Sequence, residues 1–182
     1  INHEKKICFI GLGTMGGYIA KNIKHYYPNI SVFDRASSKR KEFVELRYKF
    51  PKSLFLAAKK ADIVFTILPT SKIVHDVIFD PDNEGNSVIN SVNNNCLFID
   101  MTTGSINDFF VLKNKLEKMG HQLIDAPVGR SPREAKIGKS LIMAGGTVQN
   151  IKQAKPVFET FADTIIHVGE IGSGLKLKLV NN

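Results

Sequence analysis

Three glycines near the start of the chain have the spacing with which a backbone holds a phosphate. Gly11, Gly13 and Gly16 directly follow the apolar run 7–10. The first glycine permits a tight strand-to-helix turn, the second lets a pyrophosphate approach, and the third lets the helix pack on the strand. The helix N-terminus then offers unpaired N–H groups and a positive dipole end. We expect a dinucleotide to contact this turn at Gly11, Leu12, Gly13, Thr14, Met15 and Gly16.

A carboxylate at the end of the next strand supports the same interpretation. The apolar segment 30–33 ends in Asp34, at roughly the 20-residue spacing where an acidic residue accepts hydrogen bonds from a ribose. Asp34 repels a 2′-phosphate and therefore favours NAD as the cofactor. Arg35, beside it, attracts such a phosphate and leaves NADP possible. The alternative is a plain βαβ turn with Asp34 on the surface.

Composition limits the classes of function. The chain has 182 residues, 43% hydrophobic, which is enough for one sizeable core and part of a second domain. The net charge is +8, but no basic stripe with interleaved aromatics indicates nucleic-acid binding. A basic surface instead attracts anionic cofactors and substrates. The histidines show no metal-ligand spacing, and no apolar stretch is long enough to predict a membrane span.

The cysteines indicate a reducing compartment. Cys8 and Cys96 both lie in apolar, strand-like segments. We interpret them as reduced core residues rather than as a disulfide. We therefore expect a cytoplasmic protein, with the mitochondrial matrix as the alternative.

Strand-like and helix-like segments alternate along the chain, which predicts an α/β protein with a Rossmann-type, doubly wound and mostly parallel sheet. Strands are predicted at 6–10, 30–34, 62–68, 97–100, 122–125, 139–144 and 165–168. Helices are predicted at 15–26, 38–49, 53–60, 71–79, 107–119, from Pro132 onwards, 148–161 and 175–182. Segment 80–95, with Pro81 and Gly85, is predicted to be a surface loop with a short helix at 87–92.

The final predicted helix carries a second group of chemical side chains. Lys178 and Asn182 are four residues apart, so they share a helix face. A lysine can donate a proton, and an amide can orient it. From the residues alone, Lys176 is an equal candidate for the proton donor.

Four segments together resemble the β-hydroxyacid dehydrogenase family, and they span almost the whole chain. The first is the glycine-rich turn 11–16, followed by Ile19, Ala20 and Asn22. The others are Leu68-Pro69; Asp125-Ala126-Pro127-Val128 with Gly138 and Met143-Ala144-Gly145-Gly146; and Gly172-x-Gly174-x-x-x-Lys178-x-x-Asn181-Asn182. The resemblance implies an NAD(P)-dependent oxidoreductase that transfers a hydride between nicotinamide and a short semialdehyde acid or hydroxy acid. Substrates of the 3-hydroxyisobutyrate, 4-hydroxybutyrate and sulfolactaldehyde types all remain possible.

The resemblance also assigns roles to individual residues. It makes Lys178 the catalytic acid/base, while Lys176 falls outside the motif. It places Asn182 and Asn181 beside the substrate. A further set would contact the cofactor or the nicotinamide side of the substrate, namely Leu68, Pro69 and Thr103.

One segment departs from the family pattern. Most members read Pro-Val-Ser-Gly-Gly, where the serine contacts the substrate carboxylate, but this chain has Gly129 at that position. The sequence Gly129-Arg130-Ser131 resembles the branch of sulfolactaldehyde reductases and 4-hydroxybutyrate dehydrogenase-like members. Arg130 offers a planar fork of donors to a carboxylate or sulfonate. Ser131 is a further candidate for substrate binding, and the helix that begins near it would add its dipole. The alternative for Arg130 is a surface ion pair with Glu134.

Other functions are compatible with parts of the pattern. A non-catalytic dinucleotide-binding module of a larger complex would not need Lys178, whose presence favours an enzyme. The related 6-phosphogluconate dehydrogenase motif has a histidine where this chain has Asn181. Family members continue into an all-helical domain. We therefore interpret 1–169 as the dinucleotide-binding domain and 170–182 as the hinge and start of the interdomain helix, in a protein that forms homo-oligomers when full length.

Overall fold

The computed structural model describes residues 4–80, 82 and 87–182. In this part of the chain the strands are β1 Ile7–Ile10, β2 Ser31–Phe33, β3 Ile63–Thr66, β4 Leu97–Asp100, β5 Gln122–Asp125, β6 Val128–Gly129, β7 Ser140–Gly145 and β8 Ala162–Gly169. They form one sheet in the order β2-β1-β3-β4-β5-β7-β6, with β8 paired to β7. The pairs from β2 to β5 are parallel, and β7 runs antiparallel to β5 and β6. The predicted Rossmann-type, mostly parallel sheet is confirmed.

Helices cover both faces of this sheet. They are α1 Thr14–Tyr26, α2 Ser37–Glu45, α3 Leu54–Ala58, α4 Ser71–Phe79, α5 Ile106–Lys118, α6 Pro132–Lys136, α7 Val148–Phe158 and α8 Ser173–Asn181, with a 3₁₀ turn at Val88–Asn90. Alternate strand residues point to opposite faces. Phe9 and Phe65 therefore pack in the core on the α1 and α7 side, while Cys8 and Val64 pack on the α4 and α5 side.

Burial on both faces explains the apolar runs that predict the central strands. Every residue of β1, β3 and β4 is buried, as expected for parallel strands covered by helices on both sides. The buried thiols of Cys8 and Cys96 are free, in agreement with the prediction from sequence. Burial raises the pKa of the Cys8 thiol to about 12.

Some boundaries differ from the predictions. Helix α2 ends at Glu45 rather than at 49, because Arg47 has a left-handed backbone with φ of 62° and Lys49 bridges to Ser31 beside β2. The helix begins at Ser37, one residue before the predicted start, with Ala36 as its N-cap. Strand β6 was not predicted, since two residues are too short for a periodic pattern. Helix α7 ends at Phe158 rather than at the predicted residue 161. Positions 81 and 85 of the predicted loop lie outside the described residues.

The carboxyl ends of the parallel strands meet at one edge of the sheet, where ligands of open α/β sheets bind. The glycine-rich turn follows β1 at this edge, and the segments after β3, β4 and β5 lie beside it. Helix α8 returns to the same region after β8 and packs against β5, β7 and β8.

Candidate active site

The glycines of the first turn fall into two groups. A Cβ at Gly11 would lie 2.1 Å from the carbonyl oxygen of Ile67, and a Cβ at Gly16 would lie 2.1 Å from the carbonyl oxygen of Gly11. Gly11 also has φ of 103°, a conformation that favours glycine. In contrast, a Cβ at Gly13 would meet no atom within 4 Å. Two glycines therefore allow close packing, whereas the third leaves open space above the turn.

Helix α1 begins at this open space with its donors free. Gly13 is the N-cap residue and supplies no side-chain cap, and the first turn of α1 has no acidic residue. The first N–H groups of a helix have no intrahelical acceptor. This end of α1 therefore offers donors and a positive dipole end to an anion.

Asp34 is held beside the turn by backbone donors. Its Oδ2 accepts a hydrogen bond from the Leu12 N–H at 2.8 Å, and its Oδ1 accepts one from the Ala36 N–H at 2.8 Å. The side chain is half-buried, while neighbouring Arg35 is exposed. Since each carboxylate oxygen has two lone pairs, Asp34 retains acceptor capacity toward the cleft.

Two adjoining cavities run along the carboxyl edge of the sheet. One, of about 430 Å³, is lined by Asp34 and Arg35. The other, of about 480 Å³, is lined by Thr103, Arg130 and Lys178. The residues that line both are Gly13, Ile67, Leu68 and Pro69. The glycine-rich turn and the segment after β3 therefore lie between a cavity lined by Asp34 and a cavity lined by Lys178.

A buried polar network fixes the floor between these cavities. Asp100 is 3% exposed, and its Oδ1 accepts hydrogen bonds from the Thr66 hydroxyl at 2.9 Å and the Thr102 N–H at 3.0 Å. The Thr102 hydroxyl accepts one from the Leu68 N–H at 3.0 Å. Burial raises the pKa of Asp100 to about 6. Sequence reasoning missed this network, although an acidic residue at the end of a buried strand was a visible signal.

The two lysines of α8 have different surroundings. Lys178 is half-buried and lines the larger cavity. Lys176 is exposed, with its Nζ 5.8 Å from the centre of the Phe110 ring. The equivalence of the two lysines in the sequence is therefore removed by the fold. Asn181 and Asn182 are exposed at the end of α8 and are not among the residues that line the cavity.

Asp125 is a second buried carboxylate, and it contacts the start of α8. It is 1% exposed, its Oδ1 accepts a hydrogen bond from the Gly172 N–H at 2.6 Å, and its Oδ2 accepts one from the Leu175 N–H at 2.8 Å. Burial raises the pKa of this carboxyl group. In the sequence Asp125 was only part of a motif, and nothing local predicted its contact with a helix about 50 residues away.

Arg130 lines the cavity, but its guanidinium has protein partners. Its Nη1 donates to the Asp163 carboxylate at 2.5 Å and to the Lys139 carbonyl at 2.7 Å, and its Nη2 donates to the Thr164 hydroxyl at 2.8 Å. The predicted alternative, an ion pair with Glu134, is wrong. Arg130 contacts strand β8 instead.

Glu134 is unavailable to Arg130 because it stabilises the start of α6. The N–H of Ser131 donates to the Glu134 carboxylate at 3.0 Å, and the Ser131 hydroxyl donates to the same oxygen. Ser131 is exposed and is not among the cavity-lining residues.

Two other kinds of feature are absent from the described residues. Within residues 4–80, 82 and 87–182, no group of three or more His, Cys, Asp or Glu side chains is placed to hold a metal ion. In the same described part of the chain, no helix has both the length and the apolar character to cross a bilayer.

Comparison with known proteins identifies the family. A sequence model of the family described as the NAD binding domain of 6-phosphogluconate dehydrogenase matches residues 6–169. The chain belongs to this family. Since the family consists of NAD-binding domains, the prediction of a nicotinamide dinucleotide cofactor is confirmed. The matched segment ends before α8, so Lys178 lies outside it.

The chain is also similar to longer enzymes. It is 31% identical over 176 residues to 3-sulfolactaldehyde reductase of Escherichia coli (strain K12), covering 97% of this chain and 58% of that protein. It is 33% identical over 175 residues to mitochondrial 3-hydroxyisobutyrate dehydrogenase of Mus musculus, covering 96% and 51%. These relatives confirm the resemblance to the β-hydroxyacid dehydrogenase family. The chain spans 51–58% of their length.

A solved structure matches the fold over the same extent. The structure of 3-hydroxyisobutyrate dehydrogenase from Mycobacterium tuberculosis with L-serine superimposes with a TM-score of 0.86 and 29% identity, covering 97% of this chain and 58% of that one. The agreement extends over nearly all of the present chain.

Proposed function

We propose that this chain is the cofactor-binding part of an oxidoreductase that transfers a hydride between a nicotinamide dinucleotide and a short anionic aldehyde or hydroxy acid. The observation that carries the proposal is that the open helix end at Gly13 and the side chain of Lys178 share one cavity of about 480 Å³. A non-catalytic module would have no use for a lysine in that position.

In this proposal, Lys178 moves the proton. When bound, the nicotinamide supplies or accepts the hydride. During reduction the Lys178 Nζ donates a proton to the oxygen of the aldehyde, and during oxidation it accepts the hydroxyl proton. The walls of the cavity hold the reacting carbon and the Lys178 amine at a fixed separation, which lowers the entropic part of the barrier.

The cofactor contacts follow from the two cavities. The free N–H groups at the start of α1 would hold the pyrophosphate above Gly13, together with the other turn residues Gly11, Leu12, Thr14, Met15 and Gly16. Asp34, which lines the smaller cavity, would accept hydrogen bonds from the adenosine ribose. Leu68 and Pro69 contact the cofactor where the cavities join. Because Asp34 repels a 2′-phosphate more directly than exposed Arg35 attracts it, we propose NAD rather than NADP.

The substrate occupies the far end of the larger cavity. Thr103 lies between cofactor and substrate, since it lines that cavity. Arg130 anchors the anionic end of the substrate. To do so, the substrate must compete with the Asp163 carboxylate for the guanidinium. We propose that Asn182, four residues after Lys178, holds the substrate oxygen or the Lys178 amine in line, and that Ser131 and Asn181 contact the substrate. All three side chains are exposed, and none is among the residues that line the cavity.

The decisive experiment is Lys178→Ala, with Lys176→Ala as the matched control on the same helix. We expect Lys178→Ala to lower kcat by at least about a hundredfold, the usual effect of losing a general acid/base, while NADH affinity stays within twofold. Lys176→Ala should leave both unchanged. The assay uses the full-length protein with a panel of short semialdehydes, and equal kcat in both variants would refute the proposal.

Cofactor choice is tested on the chain itself. Titration with NADH and NADPH, followed by fluorescence, should give tighter binding of NADH in wild type. Asp34→Asn keeps the size of the side chain and removes the charge that repels a 2′-phosphate. It should therefore reduce the difference in affinity between NADH and NADPH. A wild-type preference for NADPH would overturn the assignment to NAD.

The remaining proposals concern the whole protein. We propose a domain boundary between residues 169 and 170, in keeping with the matched segment 6–169. We propose that the full-length protein forms a homo-oligomer. Light scattering of the full-length protein tests the assembly. Free cysteines and the named relatives are consistent with either the cytoplasm or the mitochondrial matrix.

A further inference from the structure

A slot walled by glycine surrounds the carboxylate of Asp125. A Cβ at Gly145 would lie 2.5 Å from its Oδ1, and a Cβ at Gly174 would lie 3.0 Å from its Oδ2. The Gly174 Cβ would also come within 2.1 Å of the Met143 carbonyl oxygen. The backbone therefore approaches the carboxylate from strand β7 and from helix α8, and neither approach tolerates a larger residue.

The contacts with α8 are made at the first turn of the helix. Gly172 is the N-cap of α8, with φ of 91° and no side-chain cap of its own, and Leu175 is three residues further. Their N–H groups are among the donors that a helix N-terminus leaves unpaired. Asp125 accepts both, so a side chain from the end of β5 performs the role that an N-cap residue usually performs.

The position of the first turn determines the position of Lys178. Leu175 is 1% exposed and precedes Lys178 by three residues, so both lie on adjacent turns of one rigid helix. Lys176, between them in sequence, points to a different side and is exposed. A displacement or fraying of the first turn would therefore move the Lys178 amine relative to the cavity.

We propose that Asp125 is a positioning residue for the reaction: its carboxylate fixes the first turn of α8 against the sheet and thereby holds Lys178 in the cavity. The inference rests on the proposed role of Lys178 as the acid/base. Asp125 does not line the cavity, and it therefore acts through the helix rather than on the substrate. Burial raises the pKa of Asp125 and donation from α8 lowers it, so the helix contacts favour the ionised acceptor.

The test is Asp125→Asn, with Asp100→Asn as the matched control. The two aspartates are register partners on neighbouring strands, and both are buried at a strand end, but only Asp125 contacts α8. The asparagine presents an N–H₂ group where one α8 donor needs an acceptor. By amide hydrogen exchange, we expect protection at Gly172 and Leu175 to fall at least tenfold in Asp125→Asn and less than twofold in Asp100→Asn.

A kinetic measurement separates positioning from general damage to the fold. In the full-length protein, Asp125→Asn should lower kcat at least tenfold, while the affinity for NADH at the distant glycine-rich turn changes less than twofold. Loss of protection in α8 with unchanged kcat would overturn the positioning role. If Lys178→Ala had already left kcat unchanged, the proposed function would have failed on separate grounds.

The wild-type chain provides a measurement that does not depend on a variant folding. Charge-assisted hydrogen bonds to a carboxylate are strong, so the amides of Gly172 and Leu175 should exchange at least tenfold more slowly than other amides of α8 near its end, such as that of Val180. Equally fast exchange at Gly172, Leu175 and Val180 in wild type would overturn the proposal.

Discussion

Helices α1 and α8 both begin with a glycine N-cap at the same edge of the sheet, but their N-termini have opposite roles. At α1, the N-cap Gly13 has no atom within 4 Å of where a Cβ would lie, and no side chain caps the helix. At α8, the N-cap Gly172 donates its N–H to the buried carboxylate of Asp125. The N-terminus of α1, here called the open end, is available to the anion of a ligand. The N-terminus of α8, here called the closed end, already contacts a carboxylate of the protein itself.

The difference shows that glycine spacing alone does not make an anion site. Both ends have glycines, N–H groups without an acceptor inside the helix, and a positive dipole end. Their use depends on whether a carboxylate from a neighbouring strand is within reach. Asp34 is near α1, but it accepts from Leu12 and Ala36, outside the helix. The open end thus remains available for a ligand, while the closed end fixes a helix in place.

The largest expected effect comes from closing the open end. Gly13→Asp places a carboxylate at the N-cap of α1, where the structure has room for it. Its charge should repel the pyrophosphate and weaken NADH binding about a thousandfold, equivalent to ~4 kcal/mol. The melting temperature should hold or rise slightly, because aspartate is a good N-cap that gains roughly 0.5 kcal/mol.

The control for this variant is Gly13→Asn, which has nearly the same size and capping ability but no charge. We expect its NADH affinity to fall much less than that of Gly13→Asp. Fluorescence titration gives the affinities, and thermal unfolding followed by circular dichroism gives the stability. Wild-type affinity in Gly13→Asp would show that this helix end is not where the phosphates bind.

The second effect is on stability, and it distinguishes a glycine where a Cβ would clash, Gly16, from one where a Cβ would fit, Gly17. In Gly16→Ala the new Cβ would lie 2.1 Å from the Gly11 carbonyl oxygen and 2.7 Å from the Ile67 Cγ2. We expect a loss of about 3 kcal/mol in the free energy of unfolding, at the upper end of typical overpacking costs. Urea denaturation measures it.

The neighbouring glycine is the matched control. In Gly17→Ala the nearest atom would be the Leu12 carbonyl oxygen at 3.4 Å, followed by the Phe43 Cζ at 3.7 Å, which are ordinary contacts. Because alanine is the better helix former, stability should rise by up to about 1 kcal/mol. Equal destabilisation by both variants would mean that Gly16 has no special packing role.

The third effect depends on pH and involves Asp100, which fixes the floor of the cleft. Burial raises its pKa from 3.8 to about 6, so the folded state binds the proton more tightly than the unfolded state. This carboxyl group should therefore lower stability as pH rises from about 4 to about 6, by up to about 3 kcal/mol in total. The cost is absent below pH 4 and complete above pH 6.

The variant Asp100→Asn isolates this contribution. It keeps an oxygen that can accept from the Thr66 hydroxyl and the Thr102 N–H, and it removes the ionisation. We expect it to be more stable than wild type by up to about 3 kcal/mol at pH 7, with the difference vanishing toward pH 4. Urea denaturation at several pH values measures the difference, and a pH-independent difference would contradict the assignment.

Local features of the sequence predict most of the fold and the open end of the cleft. Ser71–Phe79 and Leu97–Asp100 are found with the predicted bounds, because the patterns that define them are local in the sequence. The closed end was not predicted. The bond from Leu175 to Asp125 joins residues 50 apart, and only the tertiary fold brings such residues together.

The same limit explains Arg130. Its sequence context suggested either a substrate anion or Glu134, the residue one helical turn away. In the structure, Glu134 is taken by Ser131, while Asp163, 33 residues away in sequence, reaches the guanidinium from β8. The sequence predicts that the guanidinium of Arg130 binds an anionic group. Which group it binds depends on the pairing of strands β7 and β8.

The smallest expected effect tests whether Arg130 is available to a substrate anion, like the N-terminus of α1, or is occupied by a carboxylate of the protein, like the N-terminus of α8. Asp163→Asn removes the charge that occupies the guanidinium, so an anionic substrate should compete more easily and its KM should fall about threefold, as for an exposed ion pair. Kinetics of the full-length protein measure this, with kcat unchanged. Glu159→Gln, which alters an exposed ion pair with Lys155, is the control. An unchanged KM would mean that Arg130, like Asp125, holds the fold together and does not bind the substrate.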